Sequence, residues 1–347
     1  MRAVAQRVMR GTMGERYLAI LTVRNEGSFL LEWIAHARAL GFTDIIACSN
    51  DCADGTDAML DRLQAMGWLV HLPNPGPHEK GAHFGALQLA ERHPLHAQCD
   101  WAMVFDIDEF PVIHPGGHRL PDLTAALPEA DAIALTWRMF GNAGIVDLAD
   151  RPVTETFTRA APDILHWPWR AQMFKTLYRP ARFPKPGIHR PRGGHEGQRW
   201  YDGAGRALAG GPQRIFSPLG QVNTTLAQIN HYALGSMEGY VVKCDRGRAN
   251  RDAAGFDLGY WVERNFNQTE DTSVLQLDSR AIRAELMADP VLGALHIRAF
   301  DWRRTRFQEL MREEHWRALF GRLLLTPPTR ALTAEQARLV WQHGVAG

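Results

Sequence analysis

The N-terminal third of the chain alternates short apolar runs with amphipathic helical stretches, and this rhythm restricts the fold more than any other feature. Tyr17-Leu18-Ala19-Ile20-Leu21-Thr22-Val23 is a compact apolar run suited to a central parallel strand. After the polar turn Arg24-Asn25-Glu26-Gly27, Ser28 stands as an N-cap. Phe29, Leu30, Trp33, Ile34, Ala37 and Leu40 then fall on one helical face, which Gly41 ends. Asp44 to Cys48, Trp68 to His71 and Trp101 to Phe105 read as three further strands. Met59, Leu60, Leu63 and Met66 mark a second helix, and a third runs from about Glu79 to Arg92. This alternation predicts the α/β class: a mostly parallel sheet with helices on both faces and right-handed crossovers. Ligands in such sheets bind beyond the carboxyl ends of the strands.

Asp106-Ile107-Asp108-Glu109-Phe110 directly follows the fourth run. Side chains alternate faces along extended chain, so the two aspartates are expected to point the same way. Together they would form a hard, oxygen-rich site for a divalent cation, which in turn could hold a diphosphate. The chemistry suggested is departure of a nucleoside diphosphate from a sugar. Taken alone, the pair also reads as a solvated acidic turn. Arg24-Asn25-Glu26 and the loop Asp51 to Asp54 fall on the same rim, and that convergence favours the cation reading.

Composition narrows the classes. A formal net charge of +1 over 347 residues argues against a dedicated nucleic-acid binder. No apolar stretch is long enough to cross a membrane as a helix. Residues 1–16 carry charge without the apolar core of a secretory signal and read as a lead-in. Cys48, Cys52, Cys99 and Cys244 are scattered, so neither a zinc site nor a disulfide framework is expected, and a reducing cytoplasm is the simplest compartment. Asp131 to Trp137 looks like another strand, and residues 141–222 read as short strands and loops. Helices return from Leu226, including Ser236 to Asn250 and Trp302 to Leu325. The expected layout is the lead-in, a sheet domain over 17–225 and a helical region over 226–347. No Gly-x-Gly-x-x-Gly follows a strand and no Gly-x-Ser-x-Gly elbow is present, against a dinucleotide oxidoreductase and a serine hydrolase.

Five segments carry a resemblance. Val23-Arg24-Asn25-Glu26, Glu32-Trp33-Ile34, Gly41-Phe42-Thr43-Asp44, Asn50 to Thr56 and Asp100-Trp101 to Phe110 together resemble the GT-A glycosyltransferases of family 2. More narrowly, they look like the branch related to family 92. Weaker matches are Arg138 to Gly141, Lys175 to Pro180, His189, and His231 to Ser236 followed by Lys243. The resemblance implies a GT-A fold whose Asp106 and Asp108 hold Mn²⁺ or Mg²⁺ and the donor diphosphate. It places Arg24, Asn25, Glu26 and Asp54 near the nucleoside, with Lys80 or His83 close to the nucleotide. Glu109 would orient its neighbours or cap the following turn. His231 would complete the metal shell and Lys243 would neutralise the departing diphosphate, with His189 and His195 as rivals.

The family's usual Glu-Asp pair is not at its usual place. The base therefore falls among Asp271 and Glu196, with Asp245 and Glu270 behind them. Trp167 and Trp169 would either stack on an acceptor sugar or anchor loops. The expected activity is metal-dependent transfer of a sugar from a nucleoside-diphosphate donor to a saccharide or other hydroxyl acceptor, with inversion, in polysaccharide biosynthesis. The alternative is a nucleotide-sugar-binding protein without catalysis. Phe307, Leu310, Met311 and Phe320 lie opposite several arginines on the late helix. That pattern fits a peripheral contact at the inner face of the membrane or, with Glu309, Glu313 and Glu314 interspersed, a covering helix.

Overall fold

Tyr17–Val23 forms the central strand, β1, buried along its whole length. The computed structural model describes residues 14–79, 81–194, 196–247 and 257–342. The remaining strands are β2 (Asp44–Ser49), β3 (Val70–Pro73), β4 (Trp101–Val104), β5 (Glu109–Ile113), β6 (Ala132–Met139), β7 (Arg159–Ala160), β8 (Phe174–Tyr178), β9 (Trp200–Asp202), β10 (Ala207–Leu208), β11 (Ala227–His231) and β12 (Thr269–Glu270). The principal helices are α1 (Gly27–Leu40), α2 (Thr56–Ala65), α3 (Ala82–Arg92), α4 (Met237–Arg246), α5 (Arg280–Ala288), α6 (Pro290–Leu310) and α7 (Glu314–Leu325).

The sheet runs β10-β9-β6-β8-β4-β1-β2-β3, and β11 joins β6 to β5 at one side. β3, β2, β1 and β4 are mutually parallel, as the N-terminal alternation requires. β8 enters antiparallel between β4 and β6. The α/β class and the parallel, helix-covered sheet are as expected from sequence.

Side-chain alternation along β1 feeds both layers. Tyr17, Ala19, Leu21 and Val23 pack with Leu30, Trp33, Ile34, Met59 and Leu60 of α1 and α2. Leu18 and Ile20 pack with Ala86, Leu87 and Ala90 of α3 on the opposite face. A third cluster joins Tyr240, Val241 and Val242 of α4 to Trp261, Leu310 and Leu323. α1 begins at Gly27, one residue before the expected cap, and a Cβ there would lie 2.8 Å from Ala299 Cβ of α6. Only glycine permits so close an approach of the two helices.

Two boundaries differ from the sequence reading. The expected single helix from Trp302 is two, α6 and α7, broken between Leu310 and Glu314. Its apolar side is spent internally: Leu310 is buried, and Phe307 meets Phe320 edge-on at 5.4 Å. The helical region also begins later than Leu226, because Ala227–His231 is a strand inside the sheet. The four cysteines are free. No helix among the described residues is long and apolar enough to cross a membrane.

Candidate functional site

β4 ends at Val104, and Asp106 to Glu109 form a turn rather than continuing the strand. The Glu109 N–H donates to the Asp106 carbonyl at 3.0 Å, and the Asp106 N–H donates to Glu109 Oε2 at 2.8 Å. Trp33 braces the turn from below, donating Nε1–H to the Asp106 carbonyl at 3.0 Å and stacking on Phe105. The strand-alternation argument for a shared direction therefore does not hold. The two carboxylates reach different cations, although both line the same cavity.

Asp106 Oδ2 accepts from Lys175 Nζ at 2.9 Å, and His83 Nε2 lies 3.6 Å from Oδ1. Lys175 comes from β8, is fully buried and also reaches Glu109 at 3.4 Å. Asp108 Oδ2 accepts from Lys243 Nζ at 2.6 Å, with His231 Nε2 3.8 Å away. Burial alone would raise both aspartates. Lys175 and His83 outweigh it at Asp106, and Lys243 with His231 holds Asp108 well below the usual carboxylate range. Burial pushes Glu109 the other way, with Asp106 and Asp108 reinforcing it against Lys175. Burial lowers the His231 pKa, against the pull of Asp108.

Two cavities meet at this turn. The larger, about 430 Å³, opens beyond the ends of β1 and β4 and is lined by Thr22, Arg24, Glu26, Asn50, His83, both aspartates, Trp137, Trp169, His189, His231, Lys243 and Arg246. The smaller, about 340 Å³, lies on the α1 side. Glu26, Ile107, Asp108 and Lys243 wall both. Glu26 is buried and paired with Arg246, three residues after Lys243 on the same face of α4.

The structure thus brings Arg24, Glu26, Asp106, Asp108, His231 and Lys243 onto one cavity wall, together with His83, His189 and Trp169. Asn25 stands beside it with φ 53°, its Oδ1 accepting from the Ala53 N–H at 2.6 Å. Asp54 is not part of this wall. Its carboxylate accepts from the Gly27 and Thr56 N–H groups, both at 2.9 Å, and from the Thr56 hydroxyl at 2.6 Å, so it ties the loop after β2 to the start of α1.

Neither proposed base reaches the cavities. Asp271 pairs with Arg138 at 3.0 Å and accepts from Gln228 and the Ser273 N–H, both at 2.9 Å. Although burial opposes it, these donors lower its pKa, which makes a poor base. Glu196 is exposed on the loop before β9. Asp245 is paired with Arg306 at 2.8 Å, and Glu270 is exposed in β12. Trp167 stacks edge-on against Trp341 at 5.4 Å, away from the cavities. Lys80 and His195 lie outside the described residues. Lys175 and Arg246 were not singled out from sequence, although Lys175 opens a matched segment and Arg246 repeats Lys243 one helical turn on.

The donor set suits a hard divalent ion. Two carboxylates at a cavity wall, with substrate oxygens and water filling the other positions, are what Mg²⁺ or Mn²⁺ takes in nucleotide sites. His231 also has a buried Nδ1 with no hydrogen-bond partner. No group of three or more His, Cys, Asp or Glu among the described residues forms a cage by itself.

A glycosyltransferase family 92 protein of Oryza sativa subsp. japonica is 27% identical over 148 residues, covering 41% of this chain and 24% of that protein. Among solved structures, S. aureus TarS 1–349 in complex with UDP-GlcNAc aligns over 48% of this chain and 46% of its own, at 16% identity and TM-score 0.30. Glucosyl-3-phosphoglycerate synthase from Mycobacterium tuberculosis, in complex with Mn²⁺, UDP and glucosyl-3-phosphoglycerate, aligns over 36% of this chain and 45% of its own, at 19% identity and TM-score 0.24. Residues 22–251, which carry the end of β1, the Asp106–Asp108 turn, His231 and Lys243, match the profile of glycosyltransferase family 92. The chain belongs to glycosyltransferase family 92.

Proposed function

We propose that this protein transfers a sugar from a nucleoside diphosphate to a hydroxyl acceptor, with inversion at the transferred carbon and with Mn²⁺ or Mg²⁺ bound. One observation carries the reading: Asp106, Asp108, His231 and Lys243 share a cavity wall at the carboxyl edge of the parallel strands in a family 92 chain. Asp106 and Asp108 would hold the ion, with His231 beside Asp108. When bound, such an ion stabilises charge developing on the leaving diphosphate. Lys243, Arg246 and Arg24 supply further positive charge on the same wall, which a diphosphate needs beyond one divalent ion. Asn50 and Thr22 line the end of the cavity near β1 and β2, where the nucleoside fits.

Calorimetry with UDP and GDP, with and without Mn²⁺, tests the reading alongside donor-hydrolysis assays. Metal-dependent nucleotide binding and turnover are expected. Asp108→Ala should lose about 10²-fold or more in turnover, the scale of a lost electrostatic stabiliser. Full activity in that variant, or in excess EDTA, would remove the mechanism. Tight binding without hydrolysis or transfer would make the protein a nucleotide-sugar binder instead.

A further inference from the structure

Direct displacement needs a carboxylate to take the acceptor's proton, and neither Asp271 nor Glu196 is placed for it. Four carboxylates line the two cavities: Glu26, Asp106, Asp108 and Asp147. Three of them are already paired, with Arg246, Lys175 and Lys243 respectively. Asp147 has no ion-pair partner among the described residues, is exposed, and lines only the smaller cavity.

We infer that the smaller cavity is the acceptor site, that it takes a hydroxyl carried on an apolar body, and that Asp147 is the catalytic base. This rests on the glycosyl-transfer reading. The diphosphate belongs to the larger cavity, whose wall carries Arg24, Arg170, Arg246 and Arg264. The smaller one presents Phe29, Ile145, Val146, Leu148, Phe157 and Leu234, with Arg151 and Arg303 beside them. The cavities share Glu26, Ile107, Asp108 and Lys243, so ligands filling both would meet at Asp108.

The loop that carries Asp147 is pinned on both sides of it. The Glu238 N–H donates to the Val146 carbonyl at 3.2 Å, and Glu238 Oε2 accepts from the Leu148 N–H at 2.9 Å. Glu238 opens α4, the helix whose Lys243 grips Asp108. One rigid element therefore positions both the base and the cation for the leaving group, as displacement geometry demands. In the step itself, the acceptor oxygen bonds to the sugar's anomeric carbon as that carbon's bond to the diphosphate oxygen breaks. The bonding pair leaves with the diphosphate, and the hydroxyl proton passes to Asp147, which is exposed and returns it to solvent.

The test uses the full chain with Mn²⁺ and UDP-glucose, UDP-N-acetylglucosamine or GDP-mannose, with water, glucose or p-nitrophenyl β-glucoside as acceptor. Asp147→Asn should lower turnover by about 10²-fold or more. Its UDP affinity in Mn²⁺ should stay within about twofold of wild type, and its melting temperature should not change, because the side chain is exposed and unpaired. Asp147→Glu should recover part of the rate. The aryl glucoside should exceed glucose in kcat/KM by about tenfold, the effect of one well-filled apolar subsite, and Val146→Trp should erase that margin. Normal nucleotide binding with turnover retained in Asp147→Asn, or equal use of glucose and the aryl glucoside, overturns this inference alone. Nucleotide binding without wild-type turnover on any donor overturns it too. Failure of the wild type to bind UDP or GDP overturns the glycosyl-transfer reading beneath it.

Discussion

Lys243 Nζ donates to Asp108 Oδ2 at 2.6 Å and to the Ala233 carbonyl at 2.7 Å. A divalent ion arriving at Asp108 must compete with that ammonium, and a diphosphate arriving beside it offers the ammonium a new anion. Lys243→Met should therefore have effects of opposite sign. Affinity for Mn²⁺ alone should rise several-fold, because the competitor is gone. Affinity for UDP in saturating Mn²⁺ should fall roughly tenfold, the value of one charge-assisted hydrogen bond. Isothermal calorimetry reads both, and a drop in both affinities would mean that Lys243 only braces the turn. Lys175 is a different case. It is fully buried and shared between Asp106 and Glu109, so its removal would take from both carboxylates the cation they share.

At the scale of elements, α1 links the core to the site. Its Trp33 supports the Asp106 carbonyl, and its His36 Nε2 lies 2.8 Å from the Pro111 carbonyl oxygen on the strand that follows the turn. Burial pulls His36 down to about 4 from an ordinary 6.5, with the bond to Pro111 resisting. The unfolded chain takes up this proton below about pH 6.5, whereas the folded chain does so only near pH 4. Stability should thus be full at neutral pH and decline as the pH falls through that window. A shift of this size corresponds to on the order of 3 kcal/mol. His96, also pulled down to about 4 by burial, adds a loss of the same sign. Urea unfolding at pH 7 and pH 4.5 should show the decline, and His36→Gln should reduce it. A His36→Gln protein with an unchanged pH slope would assign the loss elsewhere.

At the scale of the whole molecule, the two halves of the chain are not separable. β11 lies inside the sheet between β5 and β6, and the Tyr232 N–H donates to the Asp108 carbonyl at 2.9 Å. α5 and α6 lie against α1, and Arg62 of α2 pairs with Asp289 at the start of α6. A chain ending at residue 225 would lose β11, His231 and Lys243 and would expose the face of α1 that α5 and α6 cover. It should show no cooperative unfolding by circular dichroism and no UDP binding. Cooperative melting of that fragment would restore the sequence-based boundary at Leu226.

The sequence alone determined the parallel half of the sheet and the rim on which Asp106, Asp108 and Arg24 to Glu26 sit. Periodicities of 2 and 3.6 residues are local, and the rule that sites lie beyond strand ends follows from them. It also pointed to His231 and Lys243, through the resemblance and not through spacing. Only the tertiary structure decided the charge partners. Lys175 meets Asp106 across 69 residues and Lys243 meets Asp108 across 135. Those contacts exist because β8 inserts antiparallel beside β4 and because β11 delivers α4 to the rim, and no local pattern encodes either. For the same reason Asp54 and Asp271 read as chemistry in sequence but are spent on fixing loops. A carboxylate's availability depends on which donors the fold places around it.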